Sequence, residues 1–339
     1  MINKYRNGEK MYRIKRIKEM ILLILSCSLL FLTFTYCLSN VQAQFLILTI
    51  HSSKQEYFLS DEIVLFGNLT HLGENVYDGI VAIQIEDPEN KTITIRVVST
   101  GEVSQEDYPV RITQFYPSDA QGNPVTTTYE KGTFAYLTAY IKNTDILDHD
   151  LYFTVNIYDR YGKPWAMSRY IGRITSGETK LIITGYPIPY EFPSGTATAY
   201  AVALTNSPKN NGMPHCPEAK TTFQVATSEL TPITTKSYQN GIYYLNFSMP
   251  NNSLPGNYTV YASSKYKGST AKANLTFKVK VPDLNNDEVI DIYDLIIVAG
   301  AYGTSEGDEN WNPTADVNGD KTVDNYDRIL VATCFGWEA

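Results

Sequence analysis

Cysteine is scarce in this sequence, and its placement excludes a disulfide framework. Two of the four cysteines, Cys27 and Cys37, lie in an apolar N-terminal segment, which leaves Cys216 and Cys334 for the remaining sequence. Two widely separated cysteines do not form the disulfide network of a small secreted domain. Cys216 follows His215 in a proline-containing loop, but no second ligand pair stands at zinc spacing, so we interpret both residues as structural.

Positive charge is also lacking once the N-terminal segment is set aside. Residues 1–43 hold 7 of the 28 basic residues and 2 of the 36 acidic ones, so residues 44–339 carry 21 and 34, a net charge of −13. That balance excludes a nucleic-acid-binding surface. Residues 44–282 contain no H-E-x-x-H motif, and their carboxylates fall mostly in turns such as Glu86–Glu89 and Asp145–Asp150. We interpret these carboxylates as solvated, because glycoside hydrolysis needs two carboxylates that face each other across a cleft, and we predict that the protein is not an enzyme.

The N-terminal segment has the layout of a secretory signal. Residues 1–20 contain seven basic residues, residues 21–38 form an apolar run without charge, and Val41-Gln42-Ala43 has the small residues of a cleavage site. We predict a signal peptide over residues 1–43 and a secreted or cell-surface protein. An uncleaved membrane anchor over the same residues stays open, since eighteen residues is marginal for a span.

Long helical periods are missing from residues 44–282, where short alternating runs indicate strands. Val81, Ile83 and Ile85 share one face of such a run, and 26 tyrosines suit half-buried sheet surfaces. We predict a mainly β protein of two or three immunoglobulin-like β-sandwiches. The predicted strands cover residues 45–51, 62–68, 79–86, 92–98, 110–116, 133–142, 151–159, 166–174, 178–184, 195–203, 220–225, 241–247, 257–263 and 271–279.

The number of strands on each side of the middle segment suggests a discontinuous domain. Four predicted strands before residue 105 and three after residue 237 would each leave a sheet face uncovered, whereas together they make a seven-strand sandwich. We predict that residues 44–105 and 237–280 fold together around an inserted sandwich of residues 106–230. A long distance between Ile83 and Phe277 would exclude this arrangement, and three consecutive domains remain the alternative.

The last 57 residues contain an internal duplication. Asp283–Gly303 and Asp316–Gly336 share ten identities in 21 positions at an offset of 33. Six of the ten are polar residues at loop positions 1, 3, 5, 9, 11 and 12, and all of these positions except 11 are where calcium loops place oxygen ligands around a hard cation. Each loop leads into an apolar run at helical spacing, so we predict two loop-helix units that bind two Ca²⁺ ions. The predicted ligands, with a backbone carbonyl at position 7, are Asp283, Asn285, Asp287, Val289, Asp291 and Asp294, and Asp316, Asn318, Asp320, Thr322, Asp324 and Asp327.

This arrangement of two loop-helix repeats and a connector resembles the type I dockerin module, over residues 281–339 only. The resemblance implies an EF-hand-like helical module whose loop positions 10 and 11 and following helix face dock onto a cohesin domain. The implied contact residues are Ile292, Tyr293, Leu295, Asn325, Tyr326 and Arg328, with Ile296 and Ile329 beside them. The sequence departs from the family at position 6, where Glu288 and Lys321 replace the usual glycine and are expected to weaken calcium affinity.

Looser resemblances concern the β segments. Ser52–Thr70 and Leu254–Gly268 look like strands of macroglobulin-type or immunoglobulin-like domains of archaeal and bacterial surface proteins, and the middle segment looks like their adhesion-associated modules. These features predict a non-catalytic exported protein with spacer or adhesion sandwiches and a docking module. The alternative is an accessory component of polysaccharide degradation, which either binds carbohydrate through exposed tyrosines such as Tyr136 and Tyr140 or is associated with a glycoside hydrolase. Six N-x-[ST] sites, none between residues 106 and 239, allow a glycoprotein.

Overall fold

The computed structural model describes residues 46–59, 61–125, 128–226, 238–239, 241–250 and 252–338. Leu46–Ala339 forms one compact unit. The predicted signal peptide, residues 1–43, lies outside the described residues.

Strands dominate the described residues, as the alternating sequence predicts, and the mainly β class is confirmed. In order, they are β1 (Leu46–Leu48), β2 (His51–Ser52), β3 (Glu56–Phe58), β4 (Glu62–His71), β5 (Glu74–Asn75), β6 (Ile80–Glu86), β7 (Thr92–Ser99), β8 (Val110–Ser118), β9 (Phe134–Asn143), β10 (His149–Tyr158), β11 (Pro164–Ile174), β12 (Thr179–Pro187), β13 (Gly195–Leu204), β14 (Ala219–Val225), β15 (Tyr238–Gln239), β16 (Ile242–Ser248), β17 (Gly256–Tyr266) and β18 (Ser269–Lys280). Within the described ranges, two short 3-10 helices cover Gln105–Asp107 and Pro208–Asn210.

Strands from both ends of the described chain share two sheets, which we call the first sandwich. One sheet has the order β1-β4-β16-β15, with β2 and β5 also paired to β4, and the other has the order β3-β18-β17-β6-β7. The antiparallel pairs β4–β16 and β6–β17 join strands about 180 residues apart, with Phe66 opposite Tyr244 and Ile83 opposite Ala262. Ile83 and Phe277 are fully buried in one hydrophobic core between the sheets.

Strands β8 to β14 form a second pair of sheets, which we call the inserted sandwich. Their orders are β11-β10-β13-β14 and β12-β9-β8, all antiparallel. The core between them contains apolar side chains from alternate positions, including Phe153, Val155, Leu137 and Ile141. This is the period-2 pattern that places every second side chain inside a sandwich.

The two sandwiches contact each other through sheet faces that the sequence pattern does not identify as buried. Ile80, Ala82, Ile95 and Val97 of the first sandwich pack against Tyr152, Val202 and Leu204 of the inserted one. As a result β6 and almost all of β10 are buried on both faces. Polar side chains accompany this contact, and Asn156 accepts a hydrogen bond from the Ile95 amide at 2.9 Å.

The C-terminal residues 283–338, which we call the C-terminal module, contain the α-helices of the described residues. They are α1 (Ile292–Gly300) and α2 (Asn325–Thr333). Among the described residues, no helix has the length and apolar character needed to cross a membrane.

Candidate metal centre

The first predicted calcium loop, residues 283–294, curls around its own carboxylates. Asp283 accepts hydrogen bonds from the amides of Asp287 (3.2 Å) and Glu288 (3.0 Å). Asp287 in turn accepts from the Val289 amide at 3.1 Å. Side chains at positions 1 and 5 therefore point to the inside of the loop, the side on which a calcium loop gathers its ligands.

The second loop, residues 316–327, repeats these bonds 33 residues later. Asp316 accepts from the amides of Asp320 (3.1 Å) and Lys321 (2.8 Å), and Asp320 accepts from Thr322 at 2.9 Å. In each loop the position-3 asparagine also donates to the position-5 aspartate, at 2.8 Å. The duplicated sequence therefore encodes duplicated geometry and not only duplicated composition.

The last aspartate of each loop is fully buried and joins the loop to its helix. Asp294 accepts from the amides of Leu284 (2.7 Å) and Asp291 (2.9 Å), and Asp291 caps the helix by accepting from the Tyr293 amide. Asp327 accepts from the amides of Asn318 (3.1 Å) and Asp324 (2.8 Å), and the equivalent of Asn318, Asn285, donates to Asp294 at 3.3 Å. These are capping boxes, in which two side chains satisfy free amides of the first helical turn. They hold position 12 in place beside positions 1 to 5.

Position 6 of each loop has the backbone conformation that normally selects glycine. Glu288 and Lys321 have φ values of 67° and 73°, in the left-handed region. A side chain there costs about 1–2 kcal/mol relative to the right-handed conformation. Both residues carry a Cβ and still adopt this conformation. The lack of glycine at position 6 therefore strains the backbone of each loop.

Each loop pairs with the segment that follows the other helix. The Ile290 amide of loop 1 donates to the Trp337 carbonyl at 2.9 Å, and Gly336 donates back to Ile290 at 2.8 Å. In loop 2, Val323 donates to Thr304 (2.9 Å) and accepts from Gly303 (2.8 Å). The equivalent residues of the two bonds are again 33 apart, so the module is a pseudo-symmetric pair. Ile290, Val323, Val298 and Val331 are fully buried at its centre.

The donor types in both loops fit calcium, because they are carboxylate, amide and backbone oxygens with no nitrogen or sulfur ligand. Among the described residues, no group of three or more His, Cys, Asp or Glu side chains is arranged so that it could hold a metal ion. The carboxylates of positions 1, 5 and 12 are instead directed at loop amides. The fit therefore rests on the donor set and on the loop backbone.

The residues implied as the docking face lie mostly on the surface of the module. Ile292, Tyr293 and Tyr326 are 53%, 61% and 69% exposed, and Asn325 and Arg328 are exposed beside them. Leu295 differs, because it is half-buried and packs against the core. Five of the six residues are thus available to a partner. Tyr302 and Phe335, after the helices, are also exposed.

Other residues singled out by the sequence have structural contacts. The Nε2–H of His215 donates a hydrogen bond to the Asp150 carbonyl at 2.8 Å, and the ring packs edge-on against His149. Burial lowers the pKa of His215 to about 4 and raises the pKa of the Cys216 thiol to about 12. Glu86, expected in a solvated turn, is instead 3% exposed in β6 and forms an ion pair with Lys209 at 2.7 Å.

A serine motif lies shortly after α1, where Gly303–Gly307 matches G-x-S-x-G. That motif acts as a nucleophile elbow only between a strand and a helix. Here it follows α1 in a series of turns, and Ser305 lies opposite Thr322 of loop 2 in an isolated bridge. The segment serves the pairing of the two loops.

The sequence reading missed a buried ion pair between the sandwiches. Arg96 of β7 binds Glu218 through Nη2–Oε1 (2.5 Å) and Nε–Oε2 (2.9 Å), and its guanidinium lies 3.3 Å from the centre of the Tyr200 ring. The two residues are 122 positions apart, so no local pattern could indicate the pair. Arg96 and Glu218 also line a cavity of about 240 Å³ between the sandwiches.

Comparisons with known proteins leave the family open. No family model matches the chain, and no curated protein matches it. Among solved structures, the C-terminal domain of Wzt aligns with 36% of this chain and 76% of its own length at 11% identity and a TM-score of 0.30. The CARDB domain of a Pyrococcus furiosus protein, in complex with di-metal ions, aligns with 35% of this chain and 94% of its own length (13%, TM-score 0.25). Bacteroides uniformis β-glucuronidase aligns with 49% of this chain and 26% of its own length (9%, TM-score 0.26). Similarities this low carry no argument about fold or function.

Proposed function

We propose that this is an exported, non-catalytic protein whose C-terminal module binds two calcium ions and docks onto a cohesin-like partner. The observation that carries the proposal is the duplicated loop geometry. Both loops make the same amide-to-carboxylate bonds, hold a non-glycine residue at positive φ in position 6, and bury the position-12 carboxylate in a capping box. A solvated acidic turn needs none of these features.

Calcium has a defined task in this proposal. Each loop would hold one ion through the side chains at positions 1, 3, 5, 9 and 12 and the carbonyl of Val289 or Thr322. The module carries 13 acidic and 2 basic residues, and the bound ions offset the repulsion among the converging carboxylates. Binding and ordering of the loops are then coupled. The exposed side chains of Ile292, Tyr293 and Tyr326 lie at positions 10 and 11 of the loops, so calcium orders the face that the partner contacts.

The sandwiches serve as the rigid body behind this face. The cavity beside Arg96 is lined by an ion pair whose carboxylate already accepts three hydrogen bonds. A spacer or adhesion role agrees with the predicted export of the chain.

Calorimetric calcium titration of residues 46–339 tests the metal proposal. We expect two equivalents for the native sequence, one for Asp287→Ala and one for Asp320→Ala, and none for the double variant. These side chains are exposed, so their loss leaves the packed core in place. Glu309→Gln, an exposed acidic residue outside both loops, is the control and retains two sites. Absence of binding at millimolar calcium, or unchanged stoichiometry in the loop variants, would refute the proposal.

Docking is tested separately with purified type I cohesin domains in calcium. Binding is expected to weaken at least tenfold in the Tyr293→Ala, Tyr326→Ala double variant. Tyr302→Ala removes a tyrosine of similar exposure outside the docking face and should change nothing. Equal binding by all three proteins would place the contact elsewhere.

A further inference from the structure

Two residues separate the first sandwich from the first calcium-loop residue. Strand β18 ends at Lys280, and loop position 1 is Asp283. Pro282 between them is buried, and Val281 packs against the core of the first sandwich. Proline fixes its own φ and restricts the residue before it. This junction therefore has none of the freedom of a Gly/Ser linker.

Trp337 makes a second connection, far from the junction in sequence. Its buried indole N–H donates to the Ser253 carbonyl, in the connection between β16 and β17, at 3.2 Å. Its own carbonyl accepts from the Ile290 amide of loop 1 at 2.9 Å. Ile290 follows Val289, the residue that offers its carbonyl to the ion. One residue, through its backbone carbonyl and its side chain, thus links the backbone of a calcium loop to a loop of the first sandwich.

Apolar packing continues across the same boundary. The buried residues of the module, including Ile290, Val298, Val331 and Trp337, belong to one hydrophobic cluster with Tyr258 and Val279 of the first sandwich. A cluster that spans two segments resists the unfolding of either one alone, because each would expose apolar surface of the other.

We infer that calcium loading of the C-terminal module stabilises the first sandwich, and that Trp337 and the Val281–Pro282 junction transmit this effect. The inference rests on the proposed calcium function. When loop 1 loosens, the Ile290–Trp337 bond is lost and the indole is released from Ser253. A ligand that binds only the ordered loop lowers the opening equilibrium constant by a factor of one plus the ratio of the free ligand concentration to Kd. The docked partner is consequently held at a fixed angle to the sandwiches instead of on a tether.

Hydrogen–deuterium exchange of residues 46–339, with calcium and with chelator, tests the inference. The reporters are peptides from β18 and from the β16–β17 connection, and the internal reference is β10 of the inserted sandwich. At a calcium concentration 100 times Kd, one site shifts an opening equilibrium about 100-fold. We therefore expect calcium to slow the exchange of the reporter amides that open with loop 1 by ten- to 100-fold. The amides of β10 should slow by a smaller factor.

Two variants identify the route. Trp337→Phe keeps an aromatic ring but removes the N–H donor, and it should reduce the calcium effect on the reporters at least threefold. Trp311→Phe is the matched control, because the buried Trp311 Nε1 has no hydrogen-bond partner among the described residues. Insertion of six Gly/Ser residues between Lys280 and Val281 lengthens the junction without replacing a buried side chain and should reduce the effect. This variant decides between the outcomes if Trp337→Phe does not fold.

The outcomes are distinguishable. If calorimetry shows two calcium ions bound but the reporters exchange at the same rate with and without them, the coupling is refuted and the calcium function stands. If no calcium binds, both are refuted. Full slowing in the insertion variant and in Trp337→Phe would refute the proposed route of transmission.

Discussion

Neutralising Glu218 should destabilise the protein far more than neutralising an exposed carboxylate. Glu218 accepts three hydrogen bonds, two from Arg96 and one from the Val97 amide at 2.9 Å. The side chains of Arg96 and Glu218 are only 7% and 15% exposed, and Tyr158 and Tyr200 flank the guanidinium at 5.2 and 3.3 Å. Glu218→Gln keeps the shape but leaves a buried cation without a counter-charge. Removal of one partner from such a pair costs about 3–5 kcal/mol.

Urea unfolding of residues 46–339, followed by tryptophan fluorescence and far-UV circular dichroism, measures this loss. A total stability of about 5–15 kcal/mol is usual for a folded domain, so the midpoint should fall markedly. The double variant Arg96→Met, Glu218→Met should recover most of the loss, because apolar residues often replace a buried pair at little cost. Glu56→Gln, at an exposed pair with Lys280, is the control and should leave the midpoint unchanged. Equal midpoints for Glu218→Gln and Glu56→Gln would refute the reasoning.

Three further predictions follow. His215 has a folded pKa of about 4 against an ordinary value of 6.5. Between these two pH values the unfolded state binds more protons than the folded state. The stabilising contribution of neutral His215 is therefore complete above pH 6.5 and is lost as the pH falls to 4. Thermal unfolding at pH 4 and 7 should show this loss, about 2–3 kcal/mol, and His215→Gln should abolish it. Glu288→Gly should increase the free energy of unfolding by about 1 kcal/mol and so raise the unfolding temperature, because glycine adopts the positive φ without strain. Gly67→Ala should cost about 3 kcal/mol in urea unfolding, because its Cβ would lie 1.9 Å from the Thr49 carbonyl oxygen.

Each of the three has a matched control. His51→Gln changes an exposed histidine of β2 and controls for the loss of a histidine as such. Lys142→Gly, near the end of the central strand β9, should lower stability where Glu288→Gly raises it. Gly300→Ala adds a methyl group in open space at the end of α1 and should not destabilise. A loss of stability in Glu288→Gly would show that position 6 is not strained.

The alternating pattern of the sequence predicted most strand positions, because a side chain's face follows from its parity in the strand. Val81, Ile83 and Ile85 do face the core of the first sandwich. What the pattern could not show is that Gln84 and Glu86, on the opposite face, are also buried. Their burial comes from the inserted sandwich, with Lys209 supplying the counter-charge. Contacts between the two sandwiches depend on the tertiary structure. The polar character of Gln84 and Glu86 in the sequence instead predicts a solvent-exposed face.

The candidate site could be read from the sequence to a greater extent, because its positions are local. Ligand offsets within twelve residues, the capping pair Asp291 and Asp294, and the helix after each loop are set by neighbours in the chain. The exchange of partners between the loops was not predictable in the same way. Ile290 pairs with Gly336 across 46 residues, and only the folded module brings them together. The two calcium ions and the cohesin-like partner remain predictions.

The strand order of the first sandwich has a mechanical consequence. Because β4 pairs with β16 and β6 with β17, tension applied between Leu46 and the C-terminal module is carried across these strand pairs and bypasses strands β8 to β14. The inserted sandwich therefore bears no tension while these strand pairs remain intact. In single-molecule pulling, its lengthening should be recorded only after the first sandwich has ruptured.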